Sequence, residues 1–205
     1  MKWRQSRYFR LTLLYAILLA ATAGYITTNH FQFFQPFELP LTFIDRAIPF
    51  LPWTAFIYLL IFPLIIVLPW FLNNDQMYRR AFMACAVLSI INLAAFIVFP
   101  TKYGSRPDAF KLFGDSFWGN GYSLLHQLDS TTNCLPSFHV STCVIMLLIF
   151  WRERPKIFTA LLPTCVIIIF TTLSTKQHYF VDVLGGLIFG LTAYLIAFKK
   201  FPLKK

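Results

Sequence analysis

The chain has 205 residues, 58% of them hydrophobic and only 13% charged, with a net charge of +10. A soluble domain of this size needs more polar surface than that, so the composition excludes one and predicts an integral membrane protein. The positive balance suits attraction to anionic lipid and requires no nucleic acid partner.

Apolar runs of about 20 residues, enough to cross a hydrocarbon core about 30 Å thick, recur along the sequence. Backbone groups in lipid must bond within their own segment, so these runs are expected to be helices. The first covers 11–28. Its basic start, apolar core and Ala21-Thr22-Ala23 also describe a cleavable signal peptide, but apolar character continues through Tyr25-Ile26, which favours a retained anchor. A Phe-rich stretch from His30 to Pro52, with Glu38, Asp45 and Arg46 among aromatic residues, reads as a segment in the interface that seals the bundle. The second span, 51–73, carries Pro63 and Pro69, each lacking a backbone donor, so a kink is expected.

The third span covers 81–100 and is followed by a long loop, 101–136. In that loop Asp108, Lys111, Asp115, His126 and Asp129 read as solvated charges, and Phe113, Phe117, Trp118 and Tyr122 as interface anchors or a lipid entrance. Three further spans are expected at 137–151, a short one, 157–174 and 181–198. Gly185, Gly186 and Gly190 on the last would let a neighbouring helix approach closely. No repeat, linker or low-complexity segment divides the chain. The expected fold is therefore all-α: a single domain over 1–205 with six transmembrane helices.

Lysine and arginine in short loops stay on the cytoplasmic side. With both termini cytoplasmic, 13 of the 18 basic residues fall on that side: Lys2, Arg4, Arg7, Arg10, Arg79, Arg80, Arg152, Arg154, Lys156, Lys199, Lys200, Lys204 and Lys205. Arg46, Lys102, Arg106, Lys111 and Lys176 fall on the opposite face, which is normally poor in cations. Lys102, Arg106 and Lys176 adjoin span ends, where they suit a bound phosphate.

The same face carries Pro136-Ser137-Phe138-His139 and His178-Tyr179-Phe180-Val181-Asp182, their histidines 39 residues apart. An aspartate four residues after a histidine shares its helical face, so Asp182 can hold one ring nitrogen of His178 and leave the other as a nucleophile. His139 would supply the complementary general acid. Lys102, Arg106 and Lys176, with backbone amides near Ser137 and Phe138, would bind the phosphoryl oxygens. Such chemistry needs no metal or other cofactor. Isolated membrane-interface residues are the bland alternative for these side chains. Cys85, Cys143 and Cys165 fall within spans and Cys134 in the outer loop, with no C-x-x-C spacing, so packing roles are expected.

Pro136-Ser137-Phe138-His139 resembles the Pro-Ser-Gly-His motif of type-2 phosphatidate phosphatases, and His178-x-x-x-Asp182 resembles the end of that superfamily's third motif. Lys102-Tyr103-Gly104-Ser105-Arg106-Pro107 resembles its first, with three residues rather than six between the lysine and Arg106. Phe138 stands in place of glycine, and Thr171-Thr172 in place of a Ser-Arg pair. These departures, with Gln177-His178-Tyr179-Phe180-Val181-Asp182 and Asp45-Arg46-Ala47-Ile48-Pro49-Phe50, look more like the inositol-phosphorylceramide synthase branch.

The resemblance implies phosphoryl transfer through a phosphohistidine, with His178 as nucleophile, Asp182 orienting it and His139 as general acid. It implies a lipid phosphatase acting on a phospholipid or polyprenyl phosphate or pyrophosphate, and the distribution of basic residues puts the site on the periplasmic or lumenal face, with a bacterial inner membrane the expected location. Head-group transfer to a lipid or polyol alcohol is the runner-up, and a non-catalytic lipid-binding or transport protein a third reading.

Overall fold

The computed structural model describes residues 6–104, 106–129 and 132–202, without the side chains of Ala109 and Phe110. Lys2, Arg4, Ser105, Lys204 and Lys205, all used in the readings above, lie outside the described residues. The long helices begin where the sequence supplies caps. Helix α1 (Arg7–His30) starts at Ser6, whose hydroxyl accepts from Phe9 N, and α5 (Asp75–Val98) starts at Asn74, whose side chain accepts from Met77 N.

Between α1 and α5 the chain forms a two-residue strand, β1 (Phe37–Glu38), and the short helix α2 (Phe43–Ala47), then the second span. That span is broken rather than smoothly bent. A 3₁₀ turn (Pro52–Thr54) leads to α3 (Ala55–Tyr58), a turn at 59–60, α4 (Ile61–Val67) and a second 3₁₀ turn (Leu68–Phe71). Pro63 has no N–H for the carbonyl of Leu59, and that carbonyl accepts instead from Phe62 N at 3.2 Å. The kink expected from the prolines is thus present as a local tightening around residue 60.

After α5 come β2 (Thr101–Lys102), α6 (Ala109–Phe113) and α7 (Phe117–Leu128). Then follow α8 (Phe138–Phe150), α9 (Pro155–Ser174) and α10 (Phe180–Lys200). The interval 101–136 is therefore not an open loop: it carries α7, capped by Ser116, and β2 pairs in parallel with β1.

Among the described residues, five segments are long and apolar enough to cross a membrane: α1, Pro52–Phe71, α5, α9 and α10. Helix α8 is apolar but has 13 residues, about 20 Å at 1.5 Å per residue, short of the expected 15. Leu162, Val166 and Phe170 on α9 and Leu187, Ile188 and Leu195 on α10 are exposed, forming an outer surface suited to lipid. The chain is an all-α polytopic bundle.

The core lies between α1, α5, α8, α9 and α10, around Leu14, Met77, Leu88, Met146, Ile168 and Ala193. At one end, Arg80 pairs with Glu153 and donates to Phe201 O, Arg10 pairs with Asp75, and Arg154 donates to Phe71 O. The two histidine-bearing helix starts lie at the other end.

Helices α8 and α10 meet more closely than side chains would allow. A Cβ on Gly186 would stand 2.7 Å from both Ser137 O and Val140 Cβ, and one on Gly190 would stand 2.7 Å from Ser141 O. One on Gly185 would meet Leu135 Cδ1 at 2.9 Å, so the glycines perform the close-packing role expected of them. Gly190→Val should separate the two helices and lower the thermal midpoint in detergent, a loss of about 1–3 kcal/mol. The neighbouring lipid-facing Leu191→Ala should stay within about 0.5 kcal/mol of the unmodified protein.

Candidate active site

The site begins with a tight connection from α9 to α10. Thr172 O accepts from the amides of both Gln177 and His178 at 3.1 Å, and Lys176 sits at φ 56°, the left-handed region that a non-glycine residue enters only when held. It is held by its own ammonium, which donates to Asp45 O at 2.9 Å and Ile48 O at 2.6 Å. Burial lowers the Lys176 pKa, with Asp45 acting in opposition.

The turn delivers His178 to the start of α10. Two carboxylates already cap that helix: Asp182 Oδ2 accepts from Tyr179 N at 2.8 Å and Asp45 Oδ1 accepts from Phe180 N at 2.7 Å. Asp182 also reaches back along one turn to His178 Nδ1 at 3.3 Å, and Cys134 O approaches the same nitrogen at 3.0 Å. Both partners are acceptors only, so Nδ1 carries the hydrogen and Nε2 keeps its lone pair. Nε2 is buried with no hydrogen-bond partner among the described residues, and His178 is 5% exposed.

His139 lies on the first turn of α8, which Ser137 caps through Val140 N. Its ring centroid is 6.1 Å from that of His178. The helix starts are locked together by Ser137 N donating to Asp182 O at 3.0 Å. His139 Nδ1 is 3.0 Å from the Tyr58 hydroxyl, and its ring packs on the rings of Tyr58 and Phe62.

Asp129, expected as a solvated loop charge, is instead 3% exposed at the centre of this group. Its Oδ1 accepts from Tyr25 at 2.5 Å and its Oδ2 from Tyr58. Burial opposes ionisation of Asp129, but His139, His178 and the two phenols outweigh it and hold the pKa below the ordinary value. Of the other loop charges, Asp108, Lys111 and Asp115 are exposed as expected. His126 is not solvated: burial and then Arg106 push its pKa down to about 4, so it stays neutral near pH 7.

Arg106 reaches the same centre, donating to Gln177 Oε1 and, at 3.3 Å, to Asp129 O. Lys102 is half-exposed on β2, with Nζ 3.7 Å from Glu38 Oε1. Of the residues expected to bind phosphate, the structure thus brings Arg106 beside the histidines, engages Lys102 with Glu38 and ties Lys176 to two carbonyls. The amide of Ser137 is taken by Asp182 O, which leaves the first-turn amides of Phe138 and His139 as the candidate donors on α8.

One acceptor-type or imidazole atom from each of Asp129, His139 and His178 lies within 4.8 Å of the others. Both Asp129 oxygens already accept phenol protons, so the set fits a metal ion poorly.

A cavity of about 600 Å³ is lined at one end by Asp129, Phe138 and His139 and runs between α1, α4, α5 and α8. Apolar side chains dominate its walls, from Tyr25 and Phe62 at the histidine end to Leu72 and Phe150 at the other. The rise along α8 from Phe138 to Phe150, both in the cavity wall, is about 18 Å.

Tyr25, Tyr58, Asp129 and the carbonyl of Cys134 were not identified as site groups from the sequence. A buried phenol within an apolar span carries no local signal, and a carbonyl has no residue type at all. Asp129 has one faint cue, its position ten residues before His139 on the approach to the helix.

A sequence model described as the PAP2 superfamily matches residues 27–196, which include every residue of this group except Tyr25. No curated protein matches the chain.

Lys176→Met removes both tethers on the α2 segment while preserving chain length. It should lower the thermal midpoint, by about 1–3 kcal/mol for the lost charged hydrogen bonds, as read by unfolding in detergent.

Proposed function

This chain belongs to the PAP2 superfamily, and on that premise we propose that it is a membrane-embedded lipid phosphatase working through a phosphohistidine. The superfamily comprises phosphatases and related phosphotransferases. The observation that carries the reading is the bare, buried Nε2 of His178, held in its nucleophilic tautomer by Asp182 and Cys134 O.

In the first step His178 Nε2 attacks phosphorus, the bond from phosphorus to the leaving oxygen breaks, and His139 gives its proton to that oxygen. Asp182 stabilises the cationic ring that forms. In the second, His139 takes a proton from water as the water oxygen attacks phosphorus, and the phosphorus–nitrogen bond breaks to restore His178 and release phosphate. Arg106 and the first-turn amides of α8 face the nonbridging oxygens, with Lys102 and Lys176 adding positive potential at the mouth. No metal enters either step.

The apolar cavity supports a lipid substrate: with a tail lying along α8, the phosphate end of the chain would sit at the end lined by His139 and Asp129. The same cavity admits a lipid alcohol as second acceptor, which is the head-group transfer that the inositol-phosphorylceramide synthase resemblance suggests. The distribution of lysine and arginine supports an outward-facing reaction site.

Phosphate release from a panel of lipid phosphates in detergent, with and without added lipid or polyol alcohols, tests this. The expected result is release in water that falls by about 10³-fold or more in His178→Ala, with chelators having no effect. Product formed only with an alcohol would assign transfer, and full activity in His178→Ala would assign a binding or transport role. Activity should be bell-shaped in pH, because His178 must be neutral while His139 is protonated, the two limbs reporting the coupled pair. Thr142→Phe, within the cavity, should raise KM for long-tailed substrates more than for short ones.

A further inference from the structure

The proposed reaction uses His139 but not the groups behind it, Tyr58, Asp129 and Tyr25, which are joined by hydrogen bonds. A tyrosine hydroxyl has one proton to donate. Tyr58 gives that proton to Asp129 Oδ2, so towards His139 it presents a lone pair, 3.0 Å from Nδ1. His139 Nδ1 must then be the N–H, and the exchangeable position on the ring is Nε2. Tyr25 reinforces the arrangement by donating to the other oxygen of Asp129 at 2.5 Å, which keeps that carboxylate an acceptor on both sides.

We propose that Asp129 and Tyr58 form a positioning arm for His139, fixing its Nδ1–H tautomer and directing Nε2 to the leaving oxygen. The site then has two matched arms: Asp182 acts on His178 directly, and Asp129 acts on His139 through a phenol. After proton donation the neutral His139 keeps its Nδ1 hydrogen in place on Tyr58, so it returns to the tautomer from which it started. The phenol also keeps the Asp129 carboxylate one side chain away from the imidazole, and both of that carboxylate's oxygens are engaged by phenols instead of facing an incoming phosphate. The inference rests on the general-acid role proposed for His139, and its test separates the two.

Protein labelled with ¹⁵N-histidine, in detergent and without substrate, reports tautomers through long-range ¹H–¹⁵N couplings. The His139 signal is assigned by its disappearance in His139→Gln. The expected result is an Nδ1–H tautomer in the unmodified protein. Tyr58→Phe should shift it towards Nε2–H and lower kcat by about 10-fold or more with KM little changed. Tyr25→Phe takes one hydrogen bond from Asp129 but none from His139, and should leave the tautomer as it is. Asp129→Asn provides a second route should Tyr58→Phe fail to fold, with the same expected shift. An Nε2–H tautomer in the unmodified protein overturns the proposal, as do Tyr58→Phe or Asp129→Asn proteins unchanged in both tautomer and kcat. Activity that survives His139→Gln would remove the general-acid reading while leaving the tautomer result standing.

Discussion

The close contact of α8 with α10 is the constraint on which the site depends. Gly186 and Gly190 let the α10 backbone settle against Ser137 O and Ser141 O, and Ser137 N bonds Asp182 O at the helix starts. Because His139 is one residue into α8 and His178 two residues before α10, the separation of their rings is set by the distance between these two backbones. Neither histidine needs a long flexible side chain or a mobile loop to find the other. Bulk at either glycine would move a reacting group, since an interior packed to crystal-like density transmits the shift.

Around that contact, polar groups in the bundle are arranged to serve more than one end. Asp45 closes its own helix through Thr42, caps Phe180 N and offers its carbonyl to Lys176. Asp182 caps α10 and holds His178. In an apolar environment an unmatched carboxylate is costly; that of Asp45 has partners on two segments, and Asp182 Oδ2 takes both of its partners from the turn that precedes it. The positive end of α10 is occupied by the protein's own carboxylates, Asp182 on Tyr179 N and Asp45 on Phe180 N.

Much of this was legible in the sequence because lipid imposes strong patterns. Runs of apolar residues locate the spans within a few residues, and the proline pair marks the broken second span. The pairing of His178 with Asp182 follows from one helical turn, and His139 from its place just after Ser137. What was not legible came from three-dimensional proximity between segments distant in sequence. Asp129 lies 104 residues from Tyr25 and 71 from Tyr58, and nothing local distinguishes a buried aspartate from a solvated one. The helix α7 was missed because its glycines and polar residues weaken the helical pattern, although Ser116 supplies its cap. In the sequence Lys176 offers only its charge, whereas its backbone conformation and its reach to Asp45 O and Ile48 O make it a brace for the connection as well.

The acceptor that Cys134 offers to His178 is a main-chain oxygen, so it belongs to the path of the chain and not to the side chain at that position. Sequence drift at residue 134 can alter the packing around His178 but cannot delete the carbonyl beside it. A change at Asp182 would still leave the imidazole one partner on the correct nitrogen. Part of the orientation of His178 is therefore inherited with the fold, and a descendant that lost its carboxylate would retain a histidine already held by the main chain.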